Sequence, residues 1–375
     1  MTEEESKKID KEENQTAEKL TNLGKKMVDE IKEGESPSFQ TRVRGRSNIL
    51  YDEAVGYIRL GGKTEERNFI NVGQARKFMQ TVAIANKCKK FLREDAHTSI
   101  RGLYYQLKFS LGENLDEDLF TDQNESNPLI EDLELALNVK REDLNLNANR
   151  KGAVAGHLIL RDTFGGSTTK IDCRKQGRSG WMIPSDVDKG MVIEELDVNY
   201  VLVIEKDALW QRLNEDKYWK KEKCLVITPM GQASRGCRRL LRKLADKGVP
   251  IYVATDCDAW GWYIYWAIKT GSMNLAYLGS EIAVPEARFI GVTMQDIKDY
   301  EFLGKLTIKT KPVDLKRAKE MLGYPWINRH KEWVKELKEV LKTKQKIELD
   351  ALQGPRLSFI GEYLSEKIKN KTFLP

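Results

Sequence analysis

The chain has 375 residues, 40% hydrophobic and 32% charged, with 63 Lys+Arg against 57 Asp+Glu and a net charge of +6. That length allows about two or three domains with at least one sizeable core, while so mild a basic excess says little by itself about nucleic acid. No apolar run reaches the roughly 18 residues of a membrane helix, and the N-terminus lacks the apolar stretch of a signal peptide, so a cytoplasmic protein with no membrane partner is expected.

Residues 1 to 36 are rich in Glu and Lys, yet Leu20, Leu23, Met27 and Ile31 recur at helical steps. Two readings stay open there, a solvated tail and a helix that docks on a partner. Residues 37 to 70 read as a linker and a β segment carrying Arg42, Arg44 and Arg46. From Asn71 to Leu92, Ala75, Phe78, Met79, Val82, Ala83 and Phe91 form a helical stripe. Thr98 and Ser99 can cap a second helix to about Leu111, and Asn127 to Val139 reads as a third with Pro128 in its first turn. Two β-like runs follow, Val154 to Leu160 and Ser167 to Cys173. Three helices and then a hairpin is the order of a winged-helix domain, expected over 71–190, although other small α+β folds share it.

Between Asn199 and Gly271 the texture changes to apolar strands alternating with helices, which predicts a parallel sheet covered on both faces. The strand-like runs are Tyr200 to Ile204, Cys224 to Thr228 and Val249 to Thr255. Beyond about Asp314 the pattern is helical, notably Glu332 to Leu341 and Leu357 to Ile368. The second domain is therefore expected over 195–375, and the fold class is mixed α/β. The five cysteines, Cys88, Cys173, Cys224, Cys237 and Cys257, show no C-x-x-C pair and are odd in number, so neither a zinc framework nor a disulfide scaffold is suggested and buried thiols are expected.

In a parallel sheet, ligands sit beyond the carboxyl ends of the strands. Glu205 follows one strand run, and Asp256 and Asp258 follow another, so their carboxylates converge on one sheet edge. A few hard oxygen ligands suit magnesium, which keeps several waters and shares phosphate oxygens. Taken singly, a D-x-D is short enough to arise by chance, and an acidic residue at a strand end often caps a helix. The joint placement of both elements in one β/α series resembles the Toprim domain, in which a strand-end Glu and a later D-x-D hold magnesium.

The adjacent tyrosines of Ser99-Ile-Arg-Gly-Leu-Tyr-Tyr are separated by helical geometry. Ile100, Leu103, Tyr104 and Leu107 make a core stripe, which makes Tyr104 structural. Tyr105 points about 100° away and shares its face with Arg101 and Lys108. Two cations beside a phenol favour its ionised form and can hold a phosphate; a surface tyrosine bracketed by solvated charges is the alternative.

This S-x-R-x-x-Y-Y pattern upstream of a Toprim-like region resembles the family formed by the A subunit of topoisomerase VI and the meiotic double-strand-break transesterase. Arg67 to Thr81, Asp256-Cys-Asp-Ala-Trp-Gly, Glu348-Leu-Asp-Ala-Leu and Glu362 to Ile368 also look like segments of that family, covering the chain from about residue 40 to its end. Ala259 departs from it, since many relatives have proline after the D-x-D. The resemblance implies a winged-helix, CAP-like tyrosine domain followed by a Toprim domain with a helical C-terminal region. Within them it implies Tyr105 as nucleophile, Arg101 as its partner, and Glu205, Asp256 and Asp258 as magnesium ligands. It further implies a homodimer that acts on duplex DNA, leaves 5′-phosphotyrosyl ends and assembles as A2B2 with a GHKL-class ATP-binding B subunit, in the nucleoid of a prokaryote, an archaeon by the family's distribution. A meiotic-type transesterase that does not reseal, a Toprim nuclease that uses water, and a noncatalytic DNA-binding scaffold are the competing readings.

Lys170, Arg174, Lys175 and Arg178 follow the second β run and are candidate contacts to a DNA backbone, as is Lys108, with a solvated basic loop as the alternative. Arg235 and Arg238 are further candidate phosphate contacts. Trp260, Trp262, Tyr263, Tyr265 and Trp266 read as packing rather than a base-stacking platform.

Overall fold

The computed structural model describes residues 3–112, 115–164 and 166–375. Its contacts divide the chain into two compact units, residues 1–49 with 60–149, and residues 50–59 with 150–375. The runs Val154 to Leu160 and Ser167 to Cys173 pack in the second unit, and the first unit carries its own antiparallel pair, Ser110–Gly112 with Leu115–Asp118.

In the first unit, helix α1 spans Glu3–Lys32, α2 Val72–Arg93, α3 Ile100–Leu107 and α4 Gln123–Leu137. Leu20 and Met27 of α1 are buried against the core of their own unit, whereas Ile31 is exposed. Asn71 caps α2 by accepting from the Gly73 amide at 3.0 Å. Phe78, Ile84, Cys88 and Phe91 of that helix are buried, while Met79, Val82 and Ala83 are half-buried. The second helix ends at Leu107, short of Leu111. The third begins earlier than expected because Asp122 caps it, which puts Pro128 inside the helix. The Pro128 carbonyl accepts from Arg44, whose guanidinium also bonds Asp132 at 2.8 Å. Arg44 is therefore a structural cation pinning the 38–42 strand region to α4.

The second unit is built on a six-stranded sheet of β1 (Ala153–Gly156), β2 (Trp181–Met182), β3 (Val201–Ile204), β4 (Leu225–Thr228), β5 (Ile251–Ala254) and β6 (Arg288–Gly291), in the order β2-β1-β4-β3-β5-β6. The run from β4 through β3 and β5 to β6 is parallel, and β1 and β2 add antiparallel edges. All residues of β3 and β4 are buried, the pattern of strands covered on both faces. Helices α5 (Asp207–Glu215), α6 (Arg235–Asp246) and α7 (Ala259–Lys269) follow β3, β4 and β5.

The run read as one strand from Val154 to Leu160 breaks at Gly156. That residue has φ +129°, and a Cβ there would collide with the Cys224 carbonyl oxygen. Upstream residues join the main sheet; downstream, Leu158–Phe164 pairs with Ser167–Asp172 and Met191–Leu196 in a three-stranded sheet. The C-terminal helices are Pro312–Leu322, Lys331–Thr343 and Phe359–Lys369. All five cysteines are free and buried. No described helix is long and apolar enough to cross a membrane.

Candidate functional site

In the first unit the tyrosine helix is set by its cap. Ser99 has extended backbone, and its hydroxyl oxygen accepts from the Gly102 amide at 2.9 Å, closing the first turn of α3. Leu103, Tyr104 and Leu107 then point inward and are buried, whereas Tyr105 is 59% exposed. The Tyr104 hydroxyl donates to the Thr121 carbonyl at 3.3 Å, which occupies it structurally. The two rings meet edge to face at 5.2 Å, and the Arg101 guanidinium carbon lies 5.9 Å from the centre of the Tyr105 ring. Lys108 follows as the exposed C-cap of the helix. One tyrosine is thus consumed by the core and the next is presented with a cation on its face.

In the second unit, β3 leads to β4 on one side of the sheet and β5 lies on the other, so the crevice between β3 and β5 is the topological switch point where α/β sheets bind ligands. Glu205 directly follows β3, and Asp256 and Asp258 lie just past β5. The Glu205 amide donates to the Ala254 carbonyl at 3.1 Å, and a Glu205 carboxylate oxygen accepts from the Asp256 amide at 3.2 Å. Asp256 accepts from the Leu349 amide at 2.7 Å and lies 3.3 Å from the Lys206 ammonium. Asp258 divides its oxygens: Oδ1 caps α7 by accepting from the Trp260 and Gly261 amides at 3.0 and 2.8 Å, and Oδ2 accepts from Lys346 at 3.0 Å. Its role as a helix cap is therefore real and occupies one oxygen, while Lys346 holds the other.

Burial, then the charge of Asp256, pushes the Glu205 carboxyl up to about 7. Burial likewise takes Asp256 up to about 6, against the Leu349 amide and the Lys206 ammonium, which favour its ionised form. Three carboxylates, Glu205, Asp256 and Asp258, meet two ammonium groups at this edge, Lys206 and Lys346, so acidic groups outnumber basic ones. Among the described residues no three His, Cys, Asp or Glu side chains form a ready metal cage. Magnesium does not need one, since it binds one or two carboxylates and completes its octahedron with water and phosphate oxygens. The oxygen-only donors and the excess of acidic groups fit such an ion at Glu205 and Asp256, with Asp258 adjoining.

Three family models match the chain: the Toprim domain of the topoisomerase 6 A subunit/Spo11 family over residues 200–368, Type IIB DNA topoisomerase over 76–146, and All-beta domain in DNA topoisomerase VI alpha subunit over 150–194. The chain is 42% identical to the type 2 DNA topoisomerase 6 A subunit of Pyrococcus abyssi, covering 95% of this chain and 94% of that one. It belongs to the topoisomerase 6 A subunit/Spo11 family. Identity to the subunits named alike from Methanocaldococcus jannaschii and Sulfurisphaera tokodaii is 35% and 34%, covering 95% and 100% of each chain respectively. The Toprim match contains Glu205, Asp256 and Asp258, the type IIB match contains Arg101 and Tyr105, and the all-beta match lies within the second unit.

Other expected residues of this topoisomerase 6 family member fall out differently. Lys170 has Glu194 at 3.5 Å and Glu195 at 3.7 Å, and Arg174 and Lys175 pair with Asp172 at 2.8 and 3.7 Å. The Arg174 pair holds the Asp172 carboxyl down at about 2. Arg178 is exposed in a short turn, Gly177–Ser179. Arg235 and Arg238 are buried: Arg235 donates to the Tyr277 hydroxyl at 2.9 Å, and burial lowers Arg238 to about 10. Neither is presented to a surface. The Trp262, Tyr265, Trp266 and Trp333 rings interlock and are packing, whereas Trp260 is 38% exposed and lies, like Tyr263, against the Arg317 guanidinium at 4.3 and 4.6 Å.

Four residues at this edge were given no role by the sequence reading, although Glu348 and Asp350 lie in a segment it singled out. Lys206 and Lys346 hold the two D-x-D carboxylates, and Glu348 and Asp350 hold Lys206. The one available signal was the second acid-x-acid spacing at 348 and 350. Its distance along the chain hid the connection.

Proposed function

We propose that this chain is the DNA-cleaving subunit of an ATP-dependent type IIB topoisomerase, a magnesium-dependent enzyme that opens and reseals duplex DNA by tyrosine transesterification so that another duplex passes through. The observation that carries this reading is the contrast on α3, where Tyr104 is bonded into the core and Tyr105 is exposed beside Arg101. The Tyr105 oxygen attacks a backbone phosphorus; the new O–P bond forms as the bond from phosphorus to the 3′ oxygen breaks. The phenol gives up its proton, the departing 3′ oxygen gains one, and the 5′ end is left esterified to the protein. Rejoining runs the same exchange backwards, since the ester conserves the bond.

An unperturbed phenol has a pKa near 10 and is a weak nucleophile at neutral pH. Arg101 orients the phosphate and offsets the charge of the phenolate. Glu205, Asp256 and Asp258 would hold magnesium, which supplies positive charge to the phosphate oxygens and the leaving group. Lys108 and the basic residues Lys170, Arg174, Lys175 and Arg178 contribute nonspecific backbone contacts. The working assembly is a homodimer joined to two ATP-binding B subunits, in the cytoplasm and on the nucleoid, with a winged-helix tyrosine domain serving a Toprim domain.

The test is incubation with the B subunit, ATP analogue, magnesium and supercoiled plasmid, followed by denaturation. Protein-linked linear DNA is expected, and Tyr105→Phe should abolish the adduct while leaving duplex binding largely intact. Adducts at normal yield in that variant would remove Tyr105 from its role. Linear product free of protein would instead indicate hydrolysis by water.

A further inference from the structure

The Lys206 ammonium sits among three carboxylates within the second unit. It lies 3.3 Å from Asp256, 2.9 Å from Glu348, and in closer contact still with Asp350. A lysine there is an internal cation at one of the carboxylates assigned to magnesium, and two positive charges cannot share one oxygen without mutual repulsion. Glu348 and Asp350 lie on and beside a short helical turn, Leu349–Gln353, and the intervening Leu349 amide donates to Asp256 itself. One tripeptide therefore aligns Asp256 through its backbone and holds the competing lysine through the side chains on either side. Those side chains are 53% and 44% exposed, whereas Asp256 is 15% exposed. The pair is thus on the solvent side of the crevice and the D-x-D carboxylate on the inner side.

We propose that Glu348 and Asp350 form a berth that shares the Lys206 ammonium with Asp256 and takes it over when a divalent ion reaches Glu205 and Asp256. Lys206 and its berth are positioning residues for the metal site. The inference rests on the magnesium reading above and adds that removing the berth converts Lys206 into a competitor of the metal.

The test is Mn2+ binding to the full-length chain, measured by electron paramagnetic resonance, in the parent and in Lys206→Met, Glu348→Gln/Asp350→Asn and the triple variant. The Gln and Asn replacements keep shape at half-exposed positions, and melting curves with each single variant check folding. The berth variant should bind Mn2+ about tenfold more weakly, with the triple variant returning to near the parent affinity. Lys206→Met should act far more strongly in the berth-less background than in the parent. An equal effect in both backgrounds would mean simple charge addition and overturn the berth. Failure of the triple variant to recover would mean that Glu348 and Asp350 ligate the ion directly, which also overturns it. No binding by the parent would sink the magnesium reading itself, a result distinguishable from either of these.

Discussion

At Asp258 one carboxylate carries two duties that substitution can separate. Asparagine caps helices about as well as aspartate, so Asp258→Asn should keep the bonds to the Trp260 and Gly261 amides and lose only the ion pair with Lys346, at a cost of about 1 to 3 kcal/mol. Losing the charge should nonetheless abolish DNA cleavage. Asp258→Ala should lose both, costing about 1 kcal/mol in addition. Calorimetric melting beside the adduct assay checks this, and an Asn variant that melts together with the Ala variant would show that the cap contributes nothing. Tyr104→Phe makes the complementary point on α3. It removes only the 3.3 Å bond to Thr121, so cleavage should survive with stability lowered by about 1 kcal/mol.

Where elements meet, a buried acid sets a pH dependence. Glu336 on the helix Lys331–Thr343 is 5% exposed and accepts from the Met294 amide, which opens the next helix, Met294–Asp299. Burial raises its pKa from the ordinary 4.5 to about 7. Between those values the folded chain keeps a proton that the unfolded chain has released, so this group lowers stability as pH rises from about 4.5 to about 7. Glu336→Gln retains an acceptor for Met294 and removes the ionisation. It should stabilise the protein at pH about 8 by roughly 1 to 3 kcal/mol and make little difference near pH about 4.5. Denaturant unfolding at both values tests it; an equal effect at both would exclude the linkage. The break at Gly156 acts at the same scale. Any side chain there meets the Cys224 carbonyl, and Gly156→Ala should cost about 2 kcal/mol or more in the same unfolding measurement.

For the whole molecule, chelation is the decisive perturbation. Removing divalent ions should eliminate covalent DNA adducts while leaving the fold intact, because Lys206 and Lys346 already neutralise part of the acidic edge. Circular dichroism beside the adduct assay reads both, and unfolding on chelation would show that the ion is structural. Local order along the chain was sufficient for the parallel strands around Glu205 and Asp256, the cap at Ser99, and the inward and outward assignment of Tyr104 and Tyr105. Each follows from periodicity over a few neighbouring residues. The split at Gly156, the added strands β1, β2 and β6, the burial of Arg235 and Arg238, and the grip of residues 346–350 on the D-x-D were decided only by tertiary structure. They depend on which distant segments come to lie side by side, and a distance of nearly a hundred residues, as between Asp256 and Leu349, leaves no periodic trace in the chain.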